Sequence, residues 1–138
     1  MTEFTGKCLC GAVRYACAGT PLMAGHCHCE DCRRSSGTGH CSHLAVPAAT
    51  LALTGRTKAF VRAADSGNMV ERHFCPECGA PLYSTNAAMP GLVFLRASSL
   101  DDLEVFKPQL HVYTSRAASW DRPDGLPGFE EMPPAAGT

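Results

Sequence analysis

Apolar residues in this chain fall in short alternating runs rather than at helical three-and-four spacing. Val13 and Tyr15 share one face of a run ending at Cys17, which predicts a strand over Val13 to Cys17. Leu51 to Leu53 reads as a short strand closed by Thr54-Gly55. Lys58 to Ala63 alternates as another, and Ser66-Gly67-Asn68 supplies the turn into a third at Met69 to Phe74. Ala80 to Ser84 and Leu92 to Arg96 continue the series. Glu30 to Ser35 forms a short helical turn that Ser36-Gly37 breaks, and Asp101-Asp102 caps a brief helix or turn. Gly6 to Gly11 reads as a turn. Tyr15, Phe60, Phe74, Tyr83 and Phe94 are expected as core fillers, and Trp120 is expected to pack a terminal segment. The pattern predicts a mainly β domain over residues 1–124. A Pro/Gly-rich tail follows over 125–138, with Phe129 as its one aromatic anchor.

A length of 138 residues suits one domain with a modest core. With 12 basic and 13 acidic residues and no basic tract, strong nucleic-acid binding is not expected. No apolar run approaches the roughly 18 residues of a membrane span, and Met1 to Gly11 lacks the apolar core of a secretory signal. A reducing, cytoplasmic setting is therefore the expectation.

In that setting nine cysteines point to metal rather than disulfides. Their number is odd, and the pairs Cys8/Cys10 and Cys27/Cys29 are too close for ordinary relaxed disulfides. The strongest local signal is "CPECG", Cys75 to Gly79. Cys-x-x-Cys brings two sulfurs to one tetrahedral ion, and Gly79 permits the tight turn behind them. Cys8 and Cys10, in "CLCG", are the best pair to complete four ligands. Free buried thiols or a redox Cys-x-x-Cys are the competing explanations.

"HCHCEDCRRSSG", residues 26–37, then holds three more thiols, Cys27, Cys29 and Cys32. Fourth-ligand candidates are Cys41, His26, His28, His40, Cys17 and His73, with Cys41 the foremost competitor. Cys17, at a strand end, reads more simply as a buried thiol. Four thiolates on Zn²⁺ give a formal charge of about −2 and an inert site. Three give about −1 and leave a position where a thiol or water loses its proton readily. Spacing alone leaves both outcomes open. Arg33 and Arg34 follow Cys32 directly and are candidates to meet an anionic ligand.

The order "CLCGAVRY … CHCEDCRRSSG … FCPECGAPLY … LDDLEVFKPQLHVYTSRAASW" resembles the glutathione-dependent formaldehyde-activating enzyme family, which includes centromere protein V-like proteins. The likeness runs from about Gly6 to Trp120. It implies an Mss4-like twisted β-sheet zinc domain with two Zn²⁺ per chain. Cys8, Cys10, Cys75 and Cys78 would hold the structural ion, and Cys27, Cys29 and Cys32 the catalytic one. It also implies a carbon–sulfur lyase that adds a small thiol, classically glutathione, reversibly to formaldehyde or a related aldehyde. His28, His40 and His111 are candidate proton carriers. The alternatives are a non-catalytic zinc module that binds protein or nucleic acid, and a redox or metal-handling protein.

Overall fold

The computed structural model describes residues 3–122 and 124–133. It is mainly β and twisted, as the alternating runs predict. Strands β1 (Phe4–Lys7), β2 (Arg14–Cys17) and β5 (Leu51–Thr54) form a three-stranded sheet in the order β1-β2-β5. A second sheet has seven strands: β3 (Met23–Cys27), β4 (Cys41–Pro47), β6 (Lys58–Ala63), β7 (Met69–Phe74), β8 (Pro81–Asn86), β9 (Leu92–Arg96) and β10 (Leu110–Val112). Their order is β10-β3-β4-β9-β8-β7-β6. All pairings are antiparallel except β10 with β3, which is parallel. The one α-helix among the described residues, α1, is the short Glu30–Arg34 segment between β3 and β4.

Both sheets contribute to one core. Phe4, Val13, Tyr15 and Cys17 from the small-sheet region pack with Leu44, Val46, Leu82 and Leu95 of the large sheet. β9, inside the large sheet, is buried from Val93 to Arg96. Cys17 is fully buried, its Sγ 3.4 Å from Thr50 Oγ1, and matches the reading as a packed thiol. Asp102 caps the Leu103–Val105 turn by accepting from the Glu104 amide at 3.0 Å.

Two aromatic expectations are corrected. Phe60 is 57% exposed rather than a core filler, because β6 is the edge of the large sheet and all six of its residues face solvent to a large extent. Trp120 is also solvent-exposed, and its segment is anchored instead by the neighbouring Asp121, which bonds His40. Four strands lay outside the sequence expectation: β1, β3, β4 and β10. Beyond β10 the backbone is paired again: the His111 amide donates to Pro127 O and the Phe129 amide to His111 O, each at 2.9 Å. This covers an edge that would otherwise offer unpaired peptide groups.

Two contacts hold the elements that carry the cysteines. Gly6 in β1 lies against the Tyr15 ring, and Tyr15 Oη meets Ser99 Oγ at 2.7 Å. A Cβ at position 6 would strike that ring and sit 2.6 Å from the Ser99 carbonyl. The Arg96 guanidinium, 5% exposed, donates to Ser35 O at 3.1 Å and to Ser35 Oγ at 2.9 Å, tying the end of β9 to the end of α1.

Gly6→Ala is expected to lower stability by about 1–3 kcal/mol, the usual cost of overpacking, read as a lower urea midpoint with the slope unchanged. Arg96→Leu removes charged hydrogen bonds worth about 1.5–3 kcal/mol each and leaves the Ser35 carbonyl unpaired. Its expected signature is a lower midpoint together with faster amide exchange at Cys32 to Ser36, which Gly6→Ala leaves unchanged.

Candidate metal centre and its imidazole neighbour

The first two cysteine motifs are hairpin tips. In the β1–β2 hairpin the Cys8 amide donates to Val13 O at 3.0 Å and the Gly11 amide to Cys8 O at 3.3 Å. In the β7–β8 hairpin the Cys75 amide donates to Ala80 O at 3.0 Å and the Gly79 amide to Cys75 O at 2.8 Å. Gly11 and Gly79 both have positive φ, 82° and 76°, where a Cβ would be strained. Amides also face sulfur: Val13 N lies 3.3 Å from Cys8 Sγ, and Glu77 N 3.4 Å from Cys75 Sγ.

The tips meet. Cys8, Cys10, Cys75 and Cys78 place their four sulfurs within 4.8 Å of one another. Cys8 Sγ to Cys10 Sγ is 3.7 Å and Cys10 Sγ to Cys75 Sγ is 3.8 Å. A tetrahedral ion with bonds of about 2.3 Å requires sulfurs about 3.8 Å apart, so the cage already has the right size. Burial raises the Cys8 thiol, but the Val13 amide and the neighbouring thiols outweigh it and draw it down to about 6. For Cys10 the Ala12 backbone favours the thiolate, but burial and the Cys8, Cys75 and Cys78 thiols outweigh it and push it up to about 11.

Cys27, Cys29 and Cys32 form a second group, again with all sulfurs within 4.8 Å. Cys27 ends β3, and Cys29 caps α1 by accepting from the Cys32 amide at 3.3 Å. The His28 amide donates to Val112 O at 3.0 Å, which fixes the turn between the first two thiols. The Cys29 and Cys32 thiols, and then burial, push the Cys27 thiol strongly up. Three such groups ionise together only beside a cation, so the donor set fits a divalent ion.

Cys41 faces Cys27 across the β3–β4 register and belongs to the same buried cluster as Cys27, Cys32 and Val112. Contact with the Cys32 thiol lowers its own, against burial. It does not join the compact group of three sulfurs. Arg34 is tied to Glu30 at 2.8 Å on the exposed face of α1, and Arg33 beside it is half-buried. His73 is engaged elsewhere: it stacks on Tyr83, and its Nδ1 lies 2.7 Å from Thr57 Oγ1.

The opposite face of the same strand edge carries imidazoles. Side chains alternate along β3, so His26 projects away from Cys27, and His28, just beyond the strand, joins it on that side through its contact with His111. His26 pairs with His111 of β10 and with Ser42 of β4, and its Nδ1 lies 2.8 Å from Ser42 Oγ. Burial first, then His40 and His111, holds His26 down to about 4. His28 is wholly buried and its Nε2 is 2.9 Å from His111 Nδ1. His40 Nδ1 lies 2.5 Å from Asp121 Oδ2. The three candidate proton carriers, His28, His40 and His111, therefore stand together, with ring centroids 5.0, 5.2 and 6.4 Å apart. Asp121, Asp124 and Arg96 were not legible as partners from sequence. The His-Cys-His-Cys alternation at the end of β3 and the turn after it is the signal that separates the two faces.

A cavity of about 300 Å³ has Ser36, Thr38, His40, Cys41, Arg96 and Phe106 among its walls, so it meets the imidazole face at His40 and the thiol cluster at Cys41. Among the described residues no helix is long and apolar enough to cross a membrane.

A Rhodobacter sphaeroides protein of known crystal structure is similar to this chain in fold, with a TM-score of 0.56 at 19% identity over 70% of this chain and 87% of that one. The family model for the glutathione-dependent formaldehyde-activating enzyme matches residues 3–116, which carry all of the clustered cysteines. With that span and these two sulfur groups, the chain belongs to the glutathione-dependent formaldehyde-activating enzyme family.

Proposed function

We propose that Cys8, Cys10, Cys75 and Cys78 hold a structural zinc ion, that Cys27, Cys29 and Cys32 hold a second one, and that the chain is a carbon–sulfur lyase. It adds a small thiol such as glutathione reversibly to formaldehyde or a related small aldehyde. The observation that carries the reading is the compact three-sulfur group, with Cys41 near but outside it and forming part of a cavity wall. The nine free cysteines suit a reducing compartment such as the cytoplasm.

Zinc held by Cys27, Cys29 and Cys32 would supply a positive centre that lowers the proton affinity of an incoming thiol. The protein's part is placement. The reaction forms one S–C bond, breaks the carbonyl π bond and moves the thiol proton to the new hydroxyl, so no oxidant is consumed. The cavity holds the aldehyde near the sulfur, where orientation raises effective concentration. Its Thr38 hydroxyl is a donor for the developing oxygen, whereas the Ser36 hydroxyl already donates to Arg33 O at 2.8 Å. Arg33, less engaged than the Glu30-bound Arg34, is the better placed of the two to meet a carboxylate on the thiol substrate.

Zinc-to-protein ratios and exchange of ¹³C-formaldehyde into its thiol adduct, followed by NMR, test the assignment. Wild type is expected to carry two zinc ions. Cys27→Ser loses one, keeps the fold, and loses more than about 100-fold in catalysed exchange, beyond the 10–100-fold typical of outer-shell changes. Cys75→Ser loses the other ion and the thermal stability that comes with it. A single zinc insensitive to Cys27 would instead favour a non-catalytic binding module. Cys41→Ser is expected to retain both ions and exchange activity; loss of the second ion would identify a closed four-thiolate site.

A further inference from the structure

The imidazole face contains a polar atom that the fold leaves without a partner. His28 is fully buried, and its Nδ1 is bonded to nothing in the protein. That atom lies 3.8 Å from Asp121 Oδ2, which His40 Nδ1 approaches from another side at 2.5 Å. One ligand atom from each of the three residues falls within 4.8 Å of the others.

The tautomers are constrained by the next groups outward. His111 Nε2 faces Asp124 Oδ1 at 3.4 Å, and a carboxylate requires a donor there. His111 then keeps its proton on Nε2 and accepts at Nδ1 from His28 Nε2–H, 2.9 Å away. His28 Nδ1 is thereby left with a bare lone pair aimed towards the Asp121 carboxylate. Two acceptors facing one another in a buried site repel unless a positive group lies between them. The opposite tautomer puts a bare His111 Nε2 against the exposed Asp124 carboxylate and still leaves the buried His28 Nδ1 unpaired, since Asp121 Oδ2 at 3.8 Å is beyond hydrogen-bond reach. The outward chain from His28 through His111 to Asp124 is the arrangement that commonly orients a metal-bound histidine.

We propose that His28, His40 and Asp121 form a third metal site, separate from both cysteine groups, for a divalent first-row transition ion. Two imidazoles and one carboxylate suit zinc, iron, cobalt or nickel better than calcium or magnesium, which favour all-oxygen shells, and the lack of sulfur disfavours Cu(I). Bonds of about 2.1 Å place tetrahedral ligands about 3.4 Å apart, so the 3.8 Å pair closes slightly and the 2.5 Å pair opens. Gly39 makes room for the carboxylate: a Cβ there would lie 2.8 Å from Asp121 Cβ. Three protein ligands leave positions free, and His40 also lines the cavity.

Cobalt(II) titration of protein whose cysteine sites carry zinc tests the site without reference to turnover. The expected result is one further equivalent with weak visible ligand-field bands and no sulfur-to-cobalt charge transfer. Asp121→Asn and His40→Gln, both at partly exposed positions, should weaken that equivalent at least tenfold. His111→Gln, which touches no proposed ligand atom, should weaken it about 10–100-fold through the lost outer-shell bond. No cobalt beyond the cysteine sites, an extra equivalent with thiolate charge transfer, or one indifferent to Asp121→Asn and His40→Gln would overturn the proposal. Charge-transfer bands of fully cobalt-substituted protein report the cysteine groups separately, so failure of the lyase reading is distinguishable from failure of this one.

Discussion

Two hairpin tips from different sheets must end at one point, and most of the architecture serves that requirement. The β1–β2 tip belongs to the three-stranded sheet and the β7–β8 tip to the seven-stranded one. Their sulfurs converge to tetrahedral separations while Val13, Tyr15, Leu82 and Leu95 fill the space between the sheets. Hydrophobic burial alone is non-directional and tolerates sliding of one sheet over another. Four sulfurs drawn together at two hairpin tips give a directional contact, and an ion held among them would fix the relation of the sheets. A small core joined in this way needs less apolar area than one held by packing alone.

The second centre depends on a different constraint, the two-residue period of a strand. The segment His26-Cys27-His28 alternates across the sheet edge, so thiols gather on one face and imidazoles on the other. Parallel pairing with β10 places His111 beside His26 and Val112 beside Cys27, which repeats the separation on the next strand. One sheet edge thus holds soft sulfur donors and harder nitrogen and oxygen donors almost back to back. The short helix after β3 completes the thiol side, because the Cys29 cap and the Arg96–Ser35 bonds fix both of its ends.

What was legible in the sequence follows from the range of each interaction. The cysteine groups were legible because knuckle spacing is local chemistry, and even the pairing of distant Cys8/Cys10 with Cys75/Cys78 followed from counting ligands. Strands β2, β5, β6, β7, β8 and β9 announced themselves by alternation and turn residues. β3 and β4 did not, since "MAGHC" and "CSHLAVP" mix small, polar and apolar residues without clean alternation. β10 has only three residues and is defined by its neighbour. Phe60 misled because an aromatic on an alternating run looks the same on an edge strand as in a core. The histidine–aspartate cluster was hidden for another reason: His28 and Asp121 are brought together by tertiary folding, with no motif linking them.

The bare backbone at Gly39 has a consequence for how this sequence is free to vary. A side chain at position 39 and the carboxylate of Asp121 occupy the same space. The two positions are therefore mutually exclusive as sites of bulk. In related chains, an acidic residue equivalent to Asp121 should be accompanied by glycine at 39, whereas any other residue at 39 should coincide with loss or displacement of the acid. That correlation spans 82 positions of sequence, and it offers a way to recognise, from aligned sequences alone, which relatives keep the imidazole face open to a third ligand.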